Sequence, residues 1–138
     1  MSLYRIVLME AHELLRKALK RVLDEDPDLE VIGDMGNGNE LFEFLEISKL
    51  EPNMVIVDLF APTLHGVRDL RRVKLLHSEV RVLVMSLFEN QEYLHEVLSN
   101  GADGYLIKKE ANTQLFPAIA RIREGGIYIP APLCGKVV

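Results

Sequence analysis

The chain has 138 residues, 49% hydrophobic and 27% charged, with a formal net charge of −5. That size suits one domain with a proper core, and the acidic balance leaves no overall electrostatic footprint for nucleic acid. No run of about eighteen apolar residues offers a membrane span, no basic-then-apolar N-terminus reads as a signal peptide, and a lone cysteine, Cys134, suits a reducing cytoplasm.

A first strand is expected at Tyr4–Met9. The helix after it carries Leu14, Leu15, Ala18, Leu19, Val22 and Leu23 as an apolar stripe, with Arg16, Lys17, Lys20 and Arg21 opposite. Asp26-Pro27-Asp28 stops that helix, and a second strand follows at Leu29–Met35. Leu41, Phe42, Phe44, Leu45 and Leu50 mark a second helix, stopped at Glu51-Pro52-Asn53. A third strand at residues 54–58 precedes a helix with Leu64, Val67, Leu70, Val73 and Leu76. A fourth strand at residues 80–86 leads to a helix capped by Asn90, carrying Leu94, Val97 and Leu98 and ended by Asn100-Gly101. A fifth strand at Gly104–Ile107 precedes a helix capped by Asn112, carrying Leu115, Ala118, Ile119 and Ile122 and closed by Glu124-Gly125-Gly126. Residues 1–126 form the expected domain. Residues 127–138, with Pro130 and Pro132, read as an extended exit segment or the start of a linker.

Most of the strand segments are continuous Val, Ile and Leu runs, the pattern of strands buried on both faces. Five alternating strand and helix units therefore predict a doubly wound α/β fold with a five-stranded parallel sheet in the order 2-1-3-4-5. In that order ligands bind beyond the carboxyl ends of the strands, where Glu10, Asp58, Ser86 and Lys108 all fall. A carboxylate, a hydroxyl and an ammonium thus converge from three strand ends. Taken singly each has a plainer reading. Asp58 suits a turn, Ser86 a helix cap, and Lys108, beside Lys109, a solvated surface. Tyr105 suits a surface edge. His12, His65, His77 and His95 show no metal-ligand spacing. The turn Glu10-Ala11-His12-Glu13 has no glycine-rich phosphate cradle, and its acids repel phosphate, so a flavodoxin-like cofactor binder or small enzyme ranks last.

Four segments together resemble the receiver domain of bacterial two-component response regulators. They are Val7 through Arg16, Val55-Ile56-Val57-Asp58-Leu59 with Pro62 and Gly66, Val82 through Ser86, and Gly101 through Lys108. The resemblance covers residues 4 to 125. The first and last segments are most similar to receivers that precede a LuxR-type helix-turn-helix domain. The resemblance implies a flavodoxin-like receiver fold and a signalling module, not an enzyme.

It also implies roles. Asp58 would accept a phosphoryl group from a phosphohistidine on a sensor histidine kinase. Lys108 would pair with Asp58 and then with the phosphoryl oxygens, and Ser86 would donate a hydrogen bond to them. Tyr105 would be an aromatic switch that swings inward when Ser86 moves. Magnesium would be held by Glu10, Asp58 and the backbone carbonyl of Phe60, and receivers normally add a second acid directly after the first strand's acid. Here that position is Ala11, whose methyl cannot ligate, so Mg²⁺ binding is expected to be weak or absent and phosphorylation slow. Phe60 and Phe88 stand where the phosphoryl group is flanked, either as an apolar rim or as simple packing over the sheet end. Ala61 and His65 replace a usual methionine and acid. Receivers of this kind usually dimerise through helix four, strand five and helix five, and DNA would be bound only through a domain absent from this chain. A second reading is a phosphorylation-independent receiver that serves as a dimerisation or docking module.

Overall fold

The computed structural model describes residues 3–134. Strands β1 (Tyr4–Met9), β2 (Leu29–Met35), β3 (Met54–Val57), β4 (Arg81–Ser86) and β5 (Gly104–Ile107) form one parallel sheet in the order β2-β1-β3-β4-β5. Helices α1 (Glu13–Asp24), α2 (Gly38–Ile47), α3 (Val67–Leu76), α4 (Gln91–Ser99) and α5 (Ala111–Arg123) join and follow them. This is the expected architecture.

The three central strands are apolar at almost every position, because both faces of the sheet are covered. Val7, Met9, Val55, Val57, Val82 and Val84 face one core, shared with α2, α3 and α4. Ile6, Leu8, Met54, Ile56, Leu83 and Met85 face the other, shared with α1 and α5. Each of these side chains contributes roughly 1.5–3 kcal/mol on burial.

Several boundaries shift. α2 ends at Ile47, four residues before the expected stop, because Ser48 caps it and bonds to the Leu50 carbonyl through its hydroxyl. Leu50 is therefore exposed and outside the stripe. α3 begins at Val67, so Leu64 belongs to the preceding turn. Asn90 caps α4 as expected, accepting from the Tyr93 N–H at 2.9 Å. Asn112 does not cap α5: a 3₁₀ turn at Lys108–Glu110 runs straight into that helix and leaves Asn112 inside it. On α1 only Leu19 and Leu23 are fully buried; Leu14, Ala18 and Val22 face solvent. Gly101, at φ 107°, ends α4 in the left-handed region that glycine enters freely.

The segment after α5 does not leave the domain. The Tyr128 N–H donates to the Asp103 carbonyl and the Tyr105 N–H donates to the Tyr128 carbonyl, so Tyr128 lies along the outer edge of β5. A one-turn helix, α6 (Ala131–Cys134), then buries Leu133 in the core beside α4 and β5. Of the expected exit segment, residues 135–138 lie outside the described residues.

Candidate functional site

Sheet register brings the reactive groups together. Met9 pairs with Val57, so the next residues, Glu10 and Asp58, stand level at the strand ends. Ser86 pairs with Ile107, which places Lys108 one step beyond Ser86. Strand alternation then sorts them by face. Asp58 and Lys108 continue the rows of Ile56 and Leu106 toward α1 and α5, and Glu10 continues that of Leu8. Ser86 and Tyr105 share the rows of Val84 and Ile107 toward α4.

Lys108 Nζ is the hub. It donates to Asp58 Oδ2 at 2.6 Å and lies 2.6 Å from Glu10 Oε1 in an ion pair. Only 9% of its side chain is exposed, and Glu10 is buried. Burial opposes its charge, but the bonds to Asp58 and Glu10 outweigh burial and raise its pKa above the ordinary lysine value. The neighbour Lys109 instead points outward and pairs with Glu89 at 2.5 Å, so β5 selects Lys108 over Lys109. The remaining carboxylate oxygens are also taken. Asp58 Oδ1 accepts from the Phe60 N–H at 2.9 Å, and Glu10 Oε2 accepts from the His12 N–H at 2.9 Å.

Magnesium prefers near-octahedral oxygen ligation, usually one or two carboxylates with waters; here Glu10 and Asp58 bring carboxylate oxygens to the same strand end, each also facing Lys108 or a backbone N–H. Among the described residues no three His, Cys, Asp or Glu groups cluster for a metal. Ala11, exposed in the turn after β1, adds no oxygen from its side chain.

On the α4 side, Ser86 is buried and its Oγ accepts from the Phe88 N–H at 3.0 Å. Tyr105 is wholly buried, not at a surface edge, and its hydroxyl donates to the Phe88 carbonyl at 2.6 Å. Burial raises its pKa, with hydrogen bonds involving Ser86 and Asn90 acting against it. The ring therefore points inward. Phe60 and Phe88 are exposed and meet edge to face with centroids 5.7 Å apart, which makes them a rim and not core packing.

Tyr93 lies outside the apolar stripe Leu94, Val97 and Leu98 expected on α4. Its ring stands 5.3 Å from Phe60 and 5.8 Å from Tyr105, so it links the rim to the inward tyrosine. The signal was available: Tyr93 precedes Leu94 and stands four residues before Val97. The helical period places Arg16 opposite the apolar stripe of α1. Its Nη1 donates to the Glu10 carbonyl at 2.8 Å and its Nε lies 3.4 Å from Asp34, tying α1 to the ends of β1 and β2. Among the histidines, His12 caps α1 by accepting from the Leu15 N–H, and the His65 N–H donates to buried Asp69 at 2.7 Å.

The structure is thus a doubly wound sheet in which an aspartate beyond β3 contacts a lysine beyond the edge strand β5. The family model described as response regulator receiver domain matches residues 6–120, and the chain belongs to that family. It is 34% identical over 125 residues to the transcriptional regulatory protein DegU of Brevibacillus brevis, covering 91% of this chain and 52% of that protein. It is 28% identical over 134 residues to the transcriptional regulatory protein LnrK of Bacillus subtilis (strain 168), covering 97% and 60%. The chain thus spans about half to three-fifths of the length of these curated relatives. The RcsB response regulator of Salmonella typhimurium has the same fold, with a TM-score of 0.90 at 21% identity over 97% of this chain and 66% of that one. No helix among the described residues is long and apolar enough to cross a membrane.

Proposed function

We propose that this receiver accepts a phosphoryl group on Asp58 from the phosphohistidine of a sensor histidine kinase, within a cytoplasmic transcriptional response regulator. The 2.6 Å contact between Lys108 and Asp58 carries the reading. An Asp58 carboxylate oxygen attacks phosphorus, the P–N bond breaks, and the imidazole leaves with its electron pair. Lys108 then meets the negative oxygens of the phosphoryl group. Ser86, one step beyond on β4, donates its hydroxyl to the same group, and its move weakens its contacts at Phe88 and Tyr105.

The charges are the reason slow transfer is expected. Glu10 and Asp58 share one ammonium, so the site is net negative before a phosphoryl group arrives. With Ala11 in place of an acid, magnesium binding is weak or absent and this excess is poorly relieved. The phosphorylated face would be formed by α4, β5 and α5, the surface for a homodimer, with Tyr128 occupying the outer edge of β5. DNA would be bound through a domain outside this chain.

The test is incubation with acetyl phosphate and Mg²⁺ followed by intact mass. The expected result is a slow gain of one phosphoryl group that is lost in Asp58→Asn. No gain at any Mg²⁺ concentration would leave the second reading, a phosphorylation-independent docking module, which the Ala11 substitution favours.

A further inference from the structure

The α4 side of the site continues into a groove of about 350 Å³ lined by Phe60, Phe88, Asn90, Glu92, Tyr93 and Glu96. Its makeup is unusual for bare surface. Phe60 is 64% exposed and Phe88 50%, and Leu87 beside them is 72% exposed. Large apolar side chains gathered on one rim mark a contact surface more often than scattered ones do. Glu92 and Glu96 stand one turn apart on α4, and neither is in an ion pair among the described residues, whereas nearby Glu89 is held by Lys109. Like charges at that spacing destabilise a helix, so the pair is a cost that a shared cation would remove. At the groove wall the Tyr93 hydroxyl is buried without a hydrogen-bond partner. Burial, with the nearby Tyr105 and Asp58, raises its pKa, so it stays a neutral hydroxyl.

We propose that this groove docks a cationic, apolar-flanked helix of a protein partner. An arginine side chain lies between Glu92 and Glu96, and its apolar neighbours rest on Phe60 and Phe88. Charge complementarity selects the occupant, because the groove presents two carboxylates outside any ion pair among the described residues, together with aromatic rings, and both favour a guanidinium. An apolar centre with a charged rim is also the usual anatomy of a protein contact. The proposal does not depend on phosphoryl transfer, since the groove is formed in the unmodified chain. Phe60 joins the two sites: its N–H holds Asp58 Oδ1 while its ring lines the groove.

The experiment uses the full 138-residue chain and a short fluorescent helical peptide with leucines and arginines along one face. Anisotropy gives affinity and backbone NMR maps the contact. Saturable binding is expected, with shifts at Phe60, Phe88, Glu92, Tyr93 and Glu96. The double variant Glu92→Gln/Glu96→Gln should weaken it roughly three- to tenfold, and Phe88→Ala should weaken it as well. A control on α2, Glu43→Gln/Glu46→Gln, should leave it unchanged. The proposal fails if a peptide with glutamates in place of arginines binds equally, if the α4 variant binds like the parent, or if the shifts map elsewhere. It also fails if arginine amide alone binds as tightly as the peptide, which would make the groove a small-cation site.

Discussion

Strand β5 carries an ionic cluster at each end, and the two are built in opposite ways. Asp103, just before Gly104, is one carboxylate among two cations: its Oδ2 accepts from Lys74 at 3.1 Å and from the Val82 N–H at 2.8 Å, and its Oδ1 meets Arg81 at 3.3 Å. Lys108, just after Ile107, is one ammonium between two carboxylates. The first cluster ties α3, β4 and β5 together with its anion fully satisfied, which is what a structural ion pair needs. The second leaves negative charge in excess at the sheet end. The same residue types thus meet in opposite ratios of anions to cations, and under the proposed function the second end is where phosphoryl transfer would occur.

Substitutions at the two ends should separate these roles. Asp58→Asn is expected to abolish phosphoryl incorporation, measured by intact mass, while unfolding free energy changes little, since an excess charge is removed. Asp103→Ala should do the reverse. It strands the Val82 N–H, leaves Lys74 only its bond to the Val80 carbonyl, and should cost about 2 kcal/mol in urea denaturation, with phosphoryl incorporation retained. If Asp103→Ala proved as stable as the parent, the contrast between the two clusters would not hold.

Ala11→Asp adds a carboxylate to the end that already has too many. It should tighten Mg²⁺ roughly tenfold in a calorimetric titration, and an unchanged affinity would mean that Ala11 is not the cause of weak binding. Tyr105→Phe removes the bond to the Phe88 carbonyl and should destabilise by about 1 kcal/mol, read by thermal unfolding. The smallest effect concerns pH. Because the folded pKa of Lys108 is raised, its contribution to stability is fully present below the unfolded lysine value of about 10.4 and is lost as pH rises through the folded value. Stability near neutral pH should therefore not depend on this lysine's titration. Comparing alkaline unfolding of the parent with Lys108→Gln checks this, and the two curves should converge at high pH.

Much of the fold was legible because it follows from local pattern. Continuous apolar runs mark strands covered on both faces, and Asn90 and Gly101 cap as their chemistry dictates. Asn112 failed as a cap because nothing in the sequence shows that a 3₁₀ turn would start the helix early. Leu14, Ala18 and Val22 matched the helical period yet face solvent, since periodicity fixes which residues share a face but not how wide a strip the sheet covers. The exit segment misled for a similar reason. Two prolines argue against a central strand but permit short pairing at an edge, and β5 has a free edge only because it ends the sheet.

The sequence by itself determined the inventory at the strand ends: an acid, a hydroxyl and an ammonium, with an alanine where the family resemblance implies a second acid. Those are matters of residue identity and of where apolar runs stop. The tertiary structure decided who touches whom. Parallel register sets Glu10 level with Asp58 and turns both onto Lys108. The strand pleat sends Ser86 and Tyr105 to the opposite face, toward Tyr93 and the groove on α4. Such choices depend on pairing between strands distant in the chain, and no local pattern encodes them.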